Sequence, residues 1–459
     1  MTRRPTPKSN KRRSRASRQS ATGLESRLLA LEVLESVLVN RRGLDEALEL
    51  GLANERFASM EQRDKGFARL LGVTVLRNKR QLQKIIDDLL ERPLKARATR
   101  ANLILLLGAA QLLKLAAPAH AVIDTAVNLC RLDRSTGGFD RLTNAVLRRV
   151  ALPETHERFA NLDSAENVPA WMLQRWQEAY GAEATAKIAR ACLQEAPLDI
   201  SVKTSPDTWA EQLEGIVVAT GSVRRRNDGR IEDLPGYNEG AWWVQDAAAA
   251  LPVRLLGDVS GLHVADLCAA PGGKTAQLAT AGATVAAVDI SRSRLNRVEQ
   301  NLARLQCSAK LVVADASTWS VEDAGMLFDA VLVDVPCTAT GTIRRHPDIL
   351  HLKQPDDASK LAATQAKILM NAANLTKTGG ALVYCTCSME PEEGEGQIER
   401  FLKQHSEFVR KPITPDEVGS HSEMLTSDGD LRTLPFHLDG FDDGLTGLDG
   451  FYACRLVRQ

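Results

Sequence analysis

The sequence predicts a multidomain chain: an all-α N-terminal half followed by an α/β C-terminal half on a mostly parallel sheet. Three observations predict it. Leucines recur at helical spacing through residues 24–150. From residue 256 onward, short apolar runs alternate with helical patterns, as in a parallel sheet with helices on both faces. One of those runs, His263 to Cys268, feeds a Pro271-Gly272-Gly273 turn that opens another helical pattern.

Residues 1–22 are expected to be a disordered basic tail, with too little apolar content to fold. Their first twenty positions hold eight Lys and Arg and no acid. Of 58 basic and 58 acidic residues in the chain, the remainder therefore keeps 50 basic against 58 acidic. Such a tail is either a sequence-blind arm for nucleic acid or a solvated end.

Residues 23–152 form the helical domain. Leu24, Leu28, Leu31, Leu34 and Leu38 mark its first helix. Further helical patterns cover 62–78, 82–90, 101–115, 121–132 and 141–150, punctuated by Pro93, Pro118 and Gly137-Gly138. No catalytic chemistry is visible there, which suits a binding or scaffold role. Residues 153–240 read as a connecting α+β subdomain, with short strands near Ile200–Lys203 and Ile216–Ala219. Trp242 and Trp243 could stack on a base, though core packing is the commoner role for such residues.

Residues 241–459 carry the α/β pattern. Strand one ends at Asp266–Cys268, strand two at Asp289, strand three at Asp315, strand four at Asp334 and strand five at Cys387. A last strand is expected over 450–457.

The chain of 459 residues, 44% hydrophobic and 25% charged, is ordinary for a globular protein. Its apolar runs are too short to span a bilayer, and no apolar stretch follows the basic N-terminus as a secretory signal requires. Eight cysteines without a C-x-x-C pair argue against a metal site and for a reducing, cytoplasmic setting.

The Gly272-Gly273 loop fails both common nucleotide tests. It lacks G-x-G-x-x-G spacing, and Cys268 stands where a P-loop needs glycine. A structural turn is the bland alternative. In doubly wound sheets, however, ligands bind beyond the carboxyl ends of the strands. There a carboxylate after strand two, Asp289, suits ribose hydroxyls, and Asp315 one strand further suits an adenine edge. A single adenosine without pyrophosphate fits best, and S-adenosylmethionine is the candidate cofactor.

Cys337 and Cys387 should converge above neighbouring strands. A thiol in a methyl-transfer site has a chemical reason. Carbon 5 of a pyrimidine is a poor nucleophile until a thiolate adds to carbon 6. A base must then remove the carbon-5 proton, and the thiol must leave. Cys385 lies deeper on the same strand and is expected to pack in the core.

Three motifs, Asp266-Leu267-Cys268-Ala269-Ala270-Pro271-Gly272-Gly273-Lys274-Thr275, Asp334-Val335-Pro336-Cys337 and Thr386-Cys387-Ser388, resemble those of the RNA cytosine-C5 methyltransferases. The helical half resembles the antitermination factor NusB. Together with Arg344-Arg345-His346-Pro347-Asp348, this is similar to the bacterial RsmB (Sun/Fmu) type, which methylates a cytosine in 16S ribosomal RNA. The resemblance implies a Rossmann-like, mostly parallel seven-stranded sheet. It implies Cys387 as nucleophile, Cys337 for product release and Asp334 for positioning the cytosine. It further implies that Cys268, Ala269, Ala270, Pro271, Gly272, Gly273, Lys274, Asp289, Asp315 and Asp334 bind S-adenosylmethionine. The partner implied is 16S ribosomal RNA, approached by a monomer with no membrane and no metal. Transfer RNA, another ribosomal site, and a non-enzymatic assembly role are the competing readings. Val335 and Cys385 depart from the usual motif residues.

Overall fold

The computed structural model describes residues 10–441 and 444–459, with only the backbone described for 10–22. These residues form two compact units. One reaches to Ala170 and includes His346–Leu352; the other comprises Trp171–Arg345 and Lys353–Gln459.

The first unit is helical: α1 (Asn10–Leu38), α2 (Leu44–Ala53), α3 (Gln62–Leu89), α4 (Thr99–Leu113), α5 (Ala119–Leu132), α6 (Asp140–Val150) and α7 (Pro153–Ala160). Leu29, Leu34, Leu76, Ile86, Leu106 and Leu147 share one buried core. Residues 346–352 join it from far along the chain. The Asp348 carboxylate accepts the Leu44 amide at 3.0 Å, and Arg41 donates to the carbonyls of His351 and Leu352 at 2.7 and 2.6 Å. The His351 Nε2 lies 2.8 Å from the Leu76 carbonyl.

Three helical expectations are corrected. α1 begins at Asn10, inside the segment expected to be disordered. No proline or glycine interrupts residues 10–22, so the helix continues outward from its buried leucines. Residues 62–78 and 82–90 form a single helix, α3. Arg77, Asn78 and Gln81 look like a polar break, yet they are buried, and the Gln81 amide side chain donates to the carbonyls of Leu162 and Asp163. α2 and α7 have no counterpart among the expected helices.

The second unit begins with α8 (Ala170–Cys192), whose first residue falls in the other unit. A small antiparallel sheet follows, made of β1 (Leu198–Val202), β2 (Ile216–Val217), β3 (Val223–Arg225) and β4 (Trp242–Val244) in the order β2-β3-β1-β4, with α9 (Pro206–Gln212) after β1. Trp242 is fully buried in its core. Asp199 on β1 and Arg224 on β3 form a fully buried bidentate pair at 2.7 and 2.8 Å, and Asp199 also accepts the Ala247 amide. Asp199→Ala would leave the guanidinium unpaired in the interior. We expect a loss of about 3–5 kcal/mol, read as a lowered denaturation midpoint.

The large sheet contains β5 (His263–Leu267), β6 (Thr284–Asp289), β7 (Lys310–Val313), β8 (Phe328–Asp334), β9 (Thr376–Thr386), β10 (Phe408–Arg410), β11 (Leu431–Thr433) and β12 (Phe451–Arg458). Seven strands run β10-β12-β9-β8-β5-β6-β7, and β11 pairs beside them with β12 as an eighth. β5 to β9 are parallel; β10, β11 and β12 are antiparallel additions at one edge. α10 (Ala247–Arg254) precedes β5, α11 (Gly273–Thr280) follows it, and α12 (Arg292–Arg304) follows β6. The order reverses at β5 and β8, which puts the switch point beside the Gly272-Gly273 loop.

Candidate active site

The loop after β5 is shaped for close approach. Cys268 has a left-handed φ of 63°, and Gly272 has a φ of 100° as it caps α11. A Cβ on Gly272 would lie 2.9 Å from Val298 Cγ1, so a side chain is excluded there by both backbone and space. Beneath the loop, the buried Asp266 accepts the Thr275 hydroxyl at 2.6 Å, while its Oδ1 has no hydrogen-bond partner. Burial pushes this carboxyl up to about 7. Burial, reinforced by the Asp334, Asp289 and Asp266 carboxylates, also pushes the Cys268 thiol up to about 12.

Asp289, at the end of β6, is buried and ties the loop down. It accepts the Ala270 amide at 3.2 Å and the Ser291 amide at 3.0 Å, with Arg294 at 3.4 Å. Asp315 lies two residues beyond β7, is exposed, and accepts the Ser317 amide and hydroxyl at 2.8 and 2.7 Å. Ala269 and Ala270 are buried, whereas Pro271 is exposed. Thus the loop, Asp289 and Asp315 stand in succession at the carboxyl ends of β5, β6 and β7. An anion-tolerant helix start beside two carboxylates suits a small nucleoside whose ribose and base extend along those ends.

The thiols meet above β8 and β9. These strands pair in parallel, with Asp334 opposite Cys385. Cys387 follows the last residue of β9, Cys337 lies three residues beyond β8, and the two Sγ atoms are 3.4 Å apart. All eight cysteines are free. The loop that carries Cys337 folds back across the strand ends through Gly341. The Gly341 amide donates to the Cys387 carbonyl, and its own carbonyl accepts the Gly450 amide, each at 2.9 Å. A Cβ on Gly341 would sit 1.8 Å from the Gly450 oxygen, so only glycine allows this crossing. Cys385 is fully buried in the core, as expected.

Lys274 does not point into the loop. Its buried ammonium donates to Asp334 Oδ2 at 2.7 Å and lies 5.1 Å from the centre of the Phe451 ring. Burial is the largest influence and opposes its charge, but Asp334, Cys385 and Asp266 together outweigh burial and raise its pKa. Lys274, Asp334, Cys387, Phe451, Gly273 and Trp243 line one cavity of about 440 Å³. Asp289, Asp315 and Cys337 are not among its lining residues. The sulfur contact with Cys337, then burial, holds the Cys387 thiol well above its usual range; Lys274 works in the other direction.

Two features of this region escape a reading of the sequence. Asp246 and Asp449 also line the cavity, and both pair with Arg345, at 2.7 and 3.2 Å. The Arg344-Arg345 motif is the available signal for that cluster. The acidic run 390–395 shows no purpose in sequence, and in the structure its members separate. Glu390 and Glu392 pair with Arg175, Glu395 pairs with Arg432, and Glu393 is buried between the two cysteine motifs. Trp243, unlike Trp242, reaches the cavity and donates to the Gln245 side chain at 2.8 Å.

Among the described residues no helix is long and apolar enough to cross a membrane, and no group of three or more His, Cys, Asp or Glu is arranged to hold a metal.

A helical unit thus precedes a mostly parallel sheet with a glycine loop at its switch point. The 16S rRNA methyltransferase RsmB/F family model matches residues 254–456, and the NusB family model matches 24–152. The ribosomal RNA small subunit methyltransferase B of Serratia proteamaculans is 36% identical over 416 residues, covering 87% of this chain and 92% of the relative. That of Cronobacter sakazakii is 33% identical over 455 residues, covering 94% and 98%. The chain belongs to this RsmB family. Its fold is similar to the crystal structure of PH0851, with a TM-score of 0.73 at 21% identity over 95% of this chain and 99% of that one. It is also similar in fold to NSun6 from Pyrococcus horikoshii, solved with SFG, with a TM-score of 0.53 at 18% identity over 63% and 98%.

Proposed function

We propose that this chain uses S-adenosylmethionine to methylate carbon 5 of one cytosine in 16S ribosomal RNA. The observation that carries the proposal is the Cys337–Cys387 pair, 3.4 Å apart beside the Lys274–Asp334 ion pair. Methyl transfer to oxygen or to an exocyclic amine needs no thiol, whereas carbon 5 of a pyrimidine does. The names of the relatives supply the RNA class.

Loop residues 268–274, Asp289 and Asp315 suit the cofactor, whose bound form supplies an electrophilic methyl group. The target base leaves its stack to enter the cavity. Asp334, held by Lys274, hydrogen-bonds the cytosine and fixes its face toward Cys387. The Cys387 thiolate bonds to carbon 6, and the ring electrons pass to carbon 5. After methylation, Cys337 takes the carbon-5 proton. The carbon 5–carbon 6 double bond re-forms, the carbon–sulfur bond breaks, and Cys387 departs as a thiolate.

Bisulfite sequencing of 16S ribosomal RNA from cells with and without the gene tests the reading. One cytosine should lose its methyl group and regain it with the wild type. An unchanged 16S profile would redirect the search to transfer RNA.

The thiol pair also sets a pH dependence. Only the thiolate attacks, and the free Cys387 thiol is held above its ordinary value of 9.0. Adduct formation with 5-fluorocytidine RNA in a single turnover should therefore accelerate steadily from neutral into alkaline pH. Cys337→Ala removes the largest cause of the raised value, so the profile should move to lower pH. A profile flat across that range would contradict the assignment.

A further inference from the structure

Glu393 is fully buried and lies between the two loops that carry the thiols. It accepts the Thr338 amide at 3.0 Å, the Thr338 hydroxyl at 2.5 Å and the Ser388 hydroxyl at 2.5 Å. Thr338 directly follows Cys337, and Ser388 directly follows Cys387. Gln365 completes the bracket. Its amide donates to Glu393 Oε1 and to the Pro336 carbonyl, both at 2.9 Å. Cys337 is thus gripped through the residue before it and the residue after it, and both grips meet at one carboxylate. The Tyr384 hydroxyl fixes the backbone of Glu393 itself at 2.6 Å.

The two cysteines depend unequally on this carboxylate. Cys387 continues β9, and its carbonyl is held by the Gly341 amide. Cys337 sits in a loop, and the amide of its neighbour Thr338 is bonded to Glu393.

We propose that Glu393 is a positioning residue for product release: it holds Cys337 where a thiol must stand to take the carbon-5 proton from the Cys387 adduct. This rests on the thiol chemistry proposed above. Glu393 touches neither base nor cofactor in this role. A buried carboxylate filled with donors from both motifs is costly unless its geometry matters, since apolar packing would serve stability alone.

The role predicts a distinctive failure. A protein without this carboxylate still binds RNA and still forms the adduct, because Cys387 stays on its strand. It fails to resolve the adduct. Glu393→Ala should therefore lower kcat by about a hundredfold while kcat/KM for RNA stays near the wild-type value. It should also accumulate a denaturation-resistant protein–RNA complex with 16S ribosomal RNA transcript and S-adenosylmethionine. Thr338→Val keeps Glu393 and the fold but removes one grip, and should show the same complex in smaller yield. Thr338→Ser restores the hydroxyl and should resolve the complex at the wild-type rate.

An active wild type beside variants that accumulate no complex overturns the role of Glu393 alone, whether they keep full turnover or lose both adduct and turnover. If Glu393→Ala does not fold, the two threonine variants decide between the same outcomes. A wild type that neither methylates the transcript nor traps its 5-fluorocytidine form overturns the chemistry itself, and this inference with it.

Discussion

Cys387→Ala is expected to abolish methylation of 16S ribosomal RNA, with a loss on the order of a millionfold in kcat, the scale of removing a covalent nucleophile. No other thiol can stand in. Cys385 is fully buried below the site, and Cys337 is committed to the carbon-5 side of the base as proton acceptor. The variant should keep its fold, because alanine is a small change at a half-buried thiol that packs only at the edge of the core. The check is a methyl-transfer assay on the transcript, alongside complementation scored by bisulfite sequencing. Restoration of the methyl mark by the alanine variant would sink the thiol mechanism.

Cys337→Ala is expected to fail in the opposite way. Nucleophile and cofactor residues remain, so the carbon–sulfur bond forms and the methyl group is delivered. Without the base the carbon-5 proton stays, and the enzyme ends bound to its product. Multiple turnover should fall by about 10²–10⁴, the usual contribution of a positioned base. A slow-migrating protein–RNA band should appear on a denaturing gel with ordinary cytosine RNA. Absence of that band, with turnover lost, would mean that Cys337 acts before the adduct rather than after it. The double variant Cys337→Ala/Cys387→Ala should show no band, which ties the complex to Cys387.

Much of this could be read from the residues in order. Period and punctuation were enough for α4, α5 and α6, because the prolines and glycines that break the pattern flank them. The strand ends were legible because each carries, at its last residue or within one of it, a residue that breaks the apolar run: Asp266, Asp289, Asp334, Cys387. What stayed hidden was pairing across distance. Lys274 belongs to the loop motif, yet its charge is spent on Asp334, sixty positions away. Glu393 looks like one acid among several in sequence, and only the meeting of three segments gives it a purpose. The polar stretch Arg77–Gln81 reads as a break because sequence shows polarity and not its partners. β10 and β11, three residues each, are too short for a period to show.

The seven residues His346–Leu352 have a consequence for how the protein is made. Translation delivers α1 to α7 first, and the helical unit could begin to collapse at once. It cannot finish. The Leu44 amide waits for Asp348, and the Arg41 guanidinium waits for carbonyls that emerge about three hundred residues later. Completion of the N-terminal unit is therefore coupled to synthesis of the strands that bear the Gly272-Gly273 loop and Asp334. A chain cut short before that point holds a helical unit that lacks these three hydrogen bonds.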